Sequence, residues 1–160
     1  RILSGLGAPV SGSVRWQNND GAQLTTGEAA CFVGHANAFN ESLSVSDNLA
    51  YAGALAGLEP NAEQIVTALD AFGVKALRNR SFGALSQGQR KRSSLARMLL
   101  SSDRGSRAWL LDEPFVALDV DTQALLARLI SAELAAGALV IYTSHQAVEI
   151  TAPVVRELSL

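Results

Sequence analysis

The chain holds one cysteine and one methionine in 160 residues, and aromatic side chains make up only 6% of it. A single cysteine excludes an internal disulfide framework, which suits a reducing compartment. Cys31 lies in an apolar run with Phe32 and Val33 and is expected to pack within a strand rather than to do chemistry. No apolar run approaches the ~18 residues that span a bilayer, and no charged-then-apolar segment opens the chain, so a membrane link is expected only through a partner. The net charge of -2 gives no electrostatic reason to expect a nucleic-acid partner. The local cluster Arg90-Lys91-Arg92 is read as a solvated helix face. One further absence matters most. The form G-x-x-x-x-G-K-S/T, whose backbone amides cradle nucleotide phosphates, occurs nowhere.

What is present suits one globular domain or most of one, with 48% hydrophobic and 18% charged residues. Arg1-Ile2-Leu3-Ser4-Gly5-Leu6 carries no initiating methionine and reads as the last turn of a helix ending at a glycine cap, so the chain is expected to begin in mid-element. After Pro9 and Gly12, Ser13-Val14-Arg15-Trp16 alternates as an exposed strand does. Ala30 to Gly34 reads as a short buried strand and His35 to Leu43 as a loop. Ser46-Asp47-Asn48 is expected to cap a helix through Ala56. Asn61 with Gln64 makes a capping box for a second, through Phe72, and Ser86 opens a third to about Leu100. Ala108 to Asp112 is a buried strand, Asp119 to Ala136 an amphipathic helix ended by Gly137, and Ala138 to Thr143 another buried strand. Strands alternating with helices predict an α/β fold with a parallel sheet. The all-helical stretch 44–100 predicts a helical lobe inserted into an α/β core formed by 1–43 and 101–160.

Two stretches carry chemistry. Leu85-Ser86-Gln87-Gly88-Gln89 reads first as a capping box, in which Ser86 accepts from the Gln89 amide and the Gln89 side chain reaches back. Because Gly88 leaves the helix start unobstructed, the same turn can offer N–H groups and a positive dipole end to a phosphate. In Leu110-Leu111-Asp112-Glu113-Pro114 a carboxylate stands at the carboxyl end of a buried parallel strand, where open α/β sheets bind ligands. Asp112 is the candidate for Mg²⁺, held through a water. Glu113, kept extended by Pro114, is the candidate general base for the water that attacks a γ-phosphate. Asp119 is a good helix N-cap, and local pattern shows no more of it. His145 ends the last strand and by itself reads as structural.

In order, Leu85 to Gln89, Trp109 to Pro114, Ala117-Leu118-Asp119 and His145 resemble the signature motif, Walker B, D-loop and switch histidine of ATP-binding-cassette ATPases, over essentially the whole chain. The resemblance implies a P-loop NTPase fold, ATP with Mg²⁺, and two cassettes that sandwich two nucleotides. Ser86 and Gly88, with Gln87 and Gln89 in the same motif, would meet the γ-phosphate held by the other subunit. Asp119 would couple the two sites, and His145 would contact the γ-phosphate and position the attacking water. It also implies a transmembrane permease partner, no nucleic acid, and a place on the cytoplasmic face of a bacterial inner membrane. Phe32-Val33-Gly34-His35, Leu43-Ser44-Val45-Ser46-Asp47-Asn48-Leu49, Thr143-Ser144-His145-Gln146 and Val155-Arg156-Glu157-Leu158-Ser159-Leu160 are similar to the ATPase subunits of cytochrome c maturation haem exporters. ATP hydrolysis would then drive haem delivery. His35 stands where most cassettes carry a glutamine, and is either a contact to a metal-bound water or a transmembrane partner, or a plain loop histidine. The absent phosphate loop implies an N-terminally truncated cassette that by itself binds ATP poorly and hydrolyses none. Two rivals are a soluble cassette ATPase acting on DNA or the ribosome, and a non-catalytic remnant that only binds a partner.

Overall fold

The computed structural model describes residues 1–101, 108–145 and 147–157. Gln146 and Leu158-Ser159-Leu160, which belong to motifs noted above, lie outside the described residues, as does the beginning of the second core segment at 102–107. The N-terminal residues make the two hydrogen bonds of a helix C-terminus. Leu6 N–H donates to Arg1 O and Gly5 N–H to Ile2 O, and Gly5 sits at φ 74. Trp16–Gln17 (β1) and Gln23–Leu24 (β2) pair antiparallel around Gly21. A single helical turn, Thr26–Ala29 (α1), follows, with Thr25 and Glu28 as its capping box. Sequence patterning finds neither β2 nor α1, because two to four residues hold no full period.

The sheet has three parallel strands in the order Ala30–Val33 (β3), Ala108–Asp112 (β4), Val140–Thr143 (β5). Register places Cys31 and Val33 beside Trp109 and Leu111, which share one face with the main core. Ala30, Ala108 and Leu110 turn to the other face, where Trp16 and Phe32 cover them. β4 is buried along its length except at Asp112. β5 departs from the expectation of a buried strand. Its free edge leaves Ile141, Tyr142 and Thr143 exposed, because no strand lies beyond it among the described residues.

Between β3 and β4 the described chain is helical, with Val45–Leu55 (α2), Ala62–Ala71 (α3), Gln87–Leu95 (α4) and Arg97–Ser101 (α5), plus two short 3-10 turns. α3 begins at the reciprocal pair of Asn61 and Gln64, each amide 2.9 Å from the other's side-chain oxygen. It ends at Gly73, φ 65, as expected. The cap of α2 is Ser44 rather than the Ser46 group. Ser44 Oγ accepts the Asp47 amide at 3.1 Å, and Asn48 is drawn inward instead, its Nδ2 donating to the Asn40 and Ser44 carbonyls. The expected single helix from Ser86 is broken at Ala96, where Leu99 N–H bonds Ala96 O. Ser94 Oγ lies 2.9 Å from Lys91 O and 3.0 Å from Asn37 Oδ1, and a serine that bonds its own helix's carbonyls bends the helix. Val120–Ala135 (α6) starts at Asp119, ends before Gly137 at φ 92, and buries Leu126 and Ile130 against the sheet's core face.

Candidate functional site

Asp112 closes β4 opposite Thr143 of β5. Thr143 Oγ1 donates to Asp112 Oδ1 at 2.9 Å and accepts the Glu113 amide at 3.1 Å. One hydroxyl therefore fixes one oxygen of Asp112 and leaves the other open among the described residues. Glu113 is not extended, although a residue before proline prefers to be. It lies at φ 49, in the left-handed region, which costs a non-glycine residue about 1–2 kcal/mol. Three contacts override the local preference. The Glu113 amide is held by Thr143, its carbonyl accepts from Lys91 Nζ at 3.1 Å, and its Oε1 lies 3.3 Å from His145 Nε2. The Glu113 side chain is 16% exposed and that of His145 94%, so a sheltered carboxylate meets an imidazole at the mouth of the site. A carboxylate fixed by backbone and side chain in this way can accept a proton from a water at a defined place.

The Arg90-Lys91-Arg92 cluster, expected as a solvated helix face, is not one, because Lys91 points inward. Lys91 is only 6% exposed. Burial, reinforced by the nearby Arg97, pushes its ammonium below the ordinary lysine value, against the opposite pull of Asp112 and Glu113. Arg90 is also engaged, paired with Glu41 at 2.8 Å and donating to the carbonyls of Leu85 and Gly83. A signal exists in the sequence, since positions 91, 94, 95 and 98 recur on one helical face, and Ser94, Leu95 and Met98 are all buried.

The start of α4 keeps its capping box, Gln89 N–H on Ser86 Oγ at 3.3 Å and Ser86 N–H on Gln89 Oε1 at 3.1 Å. A Cβ at Gly88 would stand 3.4 Å from Ala117 O, an ordinary contact, so this helix start adjoins the loop after Glu113. Asp119 caps α6 by accepting the Thr122 amide at 2.8 Å, and its bonds with Thr122 hold its carboxyl below the usual carboxylate range. Ser86, Gln87, Asp119 and His35 are exposed. Among the described residues no hydrogen bond or ion pair joins any of these four to Asp112, Glu113 or His145. The fold therefore gathers Asp112, Glu113 and His145 and leaves the others on the surface of the single chain.

Among the described residues, no three His, Cys, Asp or Glu side chains are arranged around a metal. The single open oxygen of Asp112 does not fit a cation held by side chains alone. It fits Mg²⁺, which keeps waters and takes phosphate oxygens beside one or two carboxylates.

A carboxylate at the carboxyl end of a parallel strand stands where open α/β sheets bind ligands, and the fold is that of ATP-binding cassettes. The fold is similar to that of the putative ABC transporter ATP-binding protein from Pyrococcus furiosus, with a TM-score of 0.72 and 26% identity over 91% of this chain and 70% of that one. It is similar also to a dimeric ATP-binding cassette in a post-hydrolysis state bound to ADP and Pi, with a TM-score of 0.65 and 20% identity over 76% of this chain and 54% of that one. The chain belongs to the ABC transporter family, whose model matches residues 1–116. The cytochrome c biogenesis ATP-binding export protein CcmA of Albidiferax ferrireducens is 41% identical over 154 residues, which are 95% of this chain and 72% of that protein.

Proposed function

We propose that this chain is the ATP-binding subunit of an export system for c-type cytochrome biogenesis, with haem as cargo, and that Glu113 is the base of its ATPase reaction. The observation that carries the assignment is the fixed Glu113, tied through its amide, carbonyl and carboxylate to Thr143, Lys91 and His145. Identity to a named CcmA protein supports the cytochrome c role. In this reading Glu113 takes the proton of the attacking water. His145 orients that carboxylate and contacts the γ-phosphate, and the open oxygen of Asp112 holds Mg²⁺. When bound, Mg²⁺ neutralises charge on the transferring phosphoryl group. The start of α4, with Ser86, Gln87, Gly88 and Gln89, presents its amides to nucleotide on a second copy of the cassette. Asp119 lies at that copy's interface, and His35 at the boundary with the membrane subunit. Residues 44–100 form the lobe that, with the 35–43 loop, receives the permease, while 1–43 and 101–160 form the core.

The protein works at the cytoplasmic face of a membrane through that permease and takes no nucleic acid. Among the described residues no helix is long and apolar enough to cross a membrane. The 160 residues carry no G-x-x-x-x-G-K-S/T loop, and by themselves they bind ATP weakly and turn none over. The test joins these residues to such a loop. Glu113→Gln is expected to stop turnover and to leave ATP binding and ATP-dependent pairing in place. Undiminished turnover refutes the base assignment.

A further inference from the structure

We propose that Thr143 decides which cation the Asp112 carboxylate serves, by committing one carboxylate oxygen and leaving the other to Mg²⁺ in preference to Ca²⁺. The proposal rests on the reading above that Asp112 holds the cation of the nucleotide, and it adds the residue that makes the site selective.

Register brings the two side chains together. Leu110 pairs with Ile141 and Asp112 with Thr143, so carboxylate and hydroxyl stand side by side at the carboxyl ends of β4 and β5. A β-branched side chain suits a strand, and valine would meet that need as well as threonine does. What threonine adds is the hydroxyl. Its two neighbours fix its polarity, because the Glu113 amide can only donate and an ionised carboxylate can only accept. The hydroxyl therefore takes the Glu113 amide on a lone pair at 3.1 Å and spends its one proton on Asp112 Oδ1 at 2.9 Å.

That hydroxyl is not free to turn away. The amide it accepts belongs to a residue at φ 49, whose carbonyl is held in turn by Lys91 Nζ at 3.1 Å. The backbone at Glu113 thus anchors Thr143, and Thr143 anchors Asp112.

A carboxylate held through Oδ1 offers a cation its other oxygen alone. Ca²⁺ readily takes both oxygens of one carboxylate, whereas Mg²⁺ is smaller, demands near-octahedral geometry and keeps several waters. One oxygen with water beside it suits Mg²⁺ and denies Ca²⁺ a two-oxygen grip. Among the described residues no group of three His, Cys, Asp or Glu side chains could supply the missing oxygens. The choice between the ions then falls on this carboxylate and the hydroxyl that restrains it, as hydrogen bonds to metal-bound carboxylates do elsewhere.

The experiment measures ATP affinity in Mg²⁺, in Ca²⁺ and in EDTA, for the cassette joined to a phosphate loop and carrying Glu113→Gln so that nucleotide is not consumed. Thr143→Val is expected to weaken the Mg²⁺-dependent affinity about tenfold while the Ca²⁺-dependent affinity falls less than about twofold or rises. Thr143→Ser keeps the hydroxyl and is expected to stay within about twofold of the parent in both ions. The ratio of the two affinities is the deciding readout, because a general loss of folded protein lowers both and cancels. If Asp112→Asn leaves the metal dependence of ATP affinity unchanged, the reading of Asp112 as the cation's carboxylate fails, and the proposal with it. If Asp112→Asn removes that dependence but Thr143→Val leaves the ratio where it was, Asp112 keeps its role and the proposal for Thr143 is overturned. A ratio lost equally in Thr143→Ser and Thr143→Val would assign the preference to the methyl group and overturn it as well.

Discussion

Removing one buried amide is expected to release the loop at 40–44. Asn48 is 3% exposed, and its side chain makes three well-formed bonds, of 2.7, 2.9 and 2.9 Å, to Asn40 and Ser44. A fourth contact, to Leu43 O at 3.5 Å, is too long to weigh. At a net of about 1 kcal/mol per bond, Asn48→Ala should cost about 3 kcal/mol and leave the Asn40 amide orphaned. For a domain of this size that corresponds to a fall in melting temperature of about 6–12 °C. Asn48→Asp has nearly the same shape and keeps the acceptor for the Asn40 amide. It replaces two N–H donors with an oxygen that faces two carbonyls. At neutral pH it should therefore be worse than alanine. The introduced carboxyl would have a folded pKa raised above its unfolded value of about 3.9, so the penalty is absent below that value and grows as pH rises through the folded one. Thermal melts at neutral pH and near pH 4, with hydrogen exchange at the Asn40 amide, test both statements. An alanine variant that melts within about 2 °C of the parent, or an aspartate variant no worse than alanine at neutral pH, would refute the role of Asn48 as a clamp.

Lys91→Met removes the charge-assisted bond to the Glu113 carbonyl, on the order of 1.5–3 kcal/mol, and with it part of what holds the left-handed backbone. In a cassette that includes a phosphate loop, ATP turnover should fall about tenfold or more with ATP affinity little changed, since roughly 1.4 kcal/mol is one decade of rate. Melting should move little, because the desolvation of the ammonium disappears too, and unaltered turnover would show that Glu113 does not depend on Lys91. Gly53→Ala places a Cβ 2.6 and 2.7 Å from ring carbons of Pro60. The helix-propensity gain of about 1 kcal/mol should be outweighed by overpacking of about 1–3 kcal/mol, and a higher denaturant midpoint would contradict the clash. Asp119 stabilises the start of α6 most fully above the ordinary Asp value of 3.8, and this contribution should vanish as pH falls through its lower folded value. Asp119→Asn should keep the cap and flatten that acid limb, as followed by helix signal against pH.

What was legible in the sequence follows the range of the interactions. The capping boxes of Asn61 with Gln64 and Ser86 with Gln89 involve residues three apart, and both helix starts are found where the pattern puts them. The buried strand at Trp109 to Leu111 and the amphipathic α6 are legible for the same reason, each carrying its own period. Ser44 as the cap of α2 is not, because the choice between two serines is decided by Asn48 reaching back eight residues to Asn40. Lys91 and Glu113 are 22 residues apart and Thr143 and Glu113 30 apart, so neither the burial of the lysine nor the left-handed glutamate can be read from neighbouring residues. The candidate site shows the same division. Asp112, Glu113 and His145 stand at strand ends, where the parallel sheet gathers them. Ser86, Gln87, Asp119 and His35 instead lie on the open surface of the single chain, outside that gathering.

The uncovered edge of β5 governs how this polypeptide behaves in a tube. Among the described residues no strand pairs with the outer edge of 140–143, which carries the exposed Ile141 and Tyr142. No proline, lysine or bulge interrupts it, and these are the devices by which natural sheets keep their margins from adding foreign strands. Concentrated alone, the polypeptide is therefore expected to associate margin to margin. Yield and shelf life will depend on whether something occupies that strand position before another copy does.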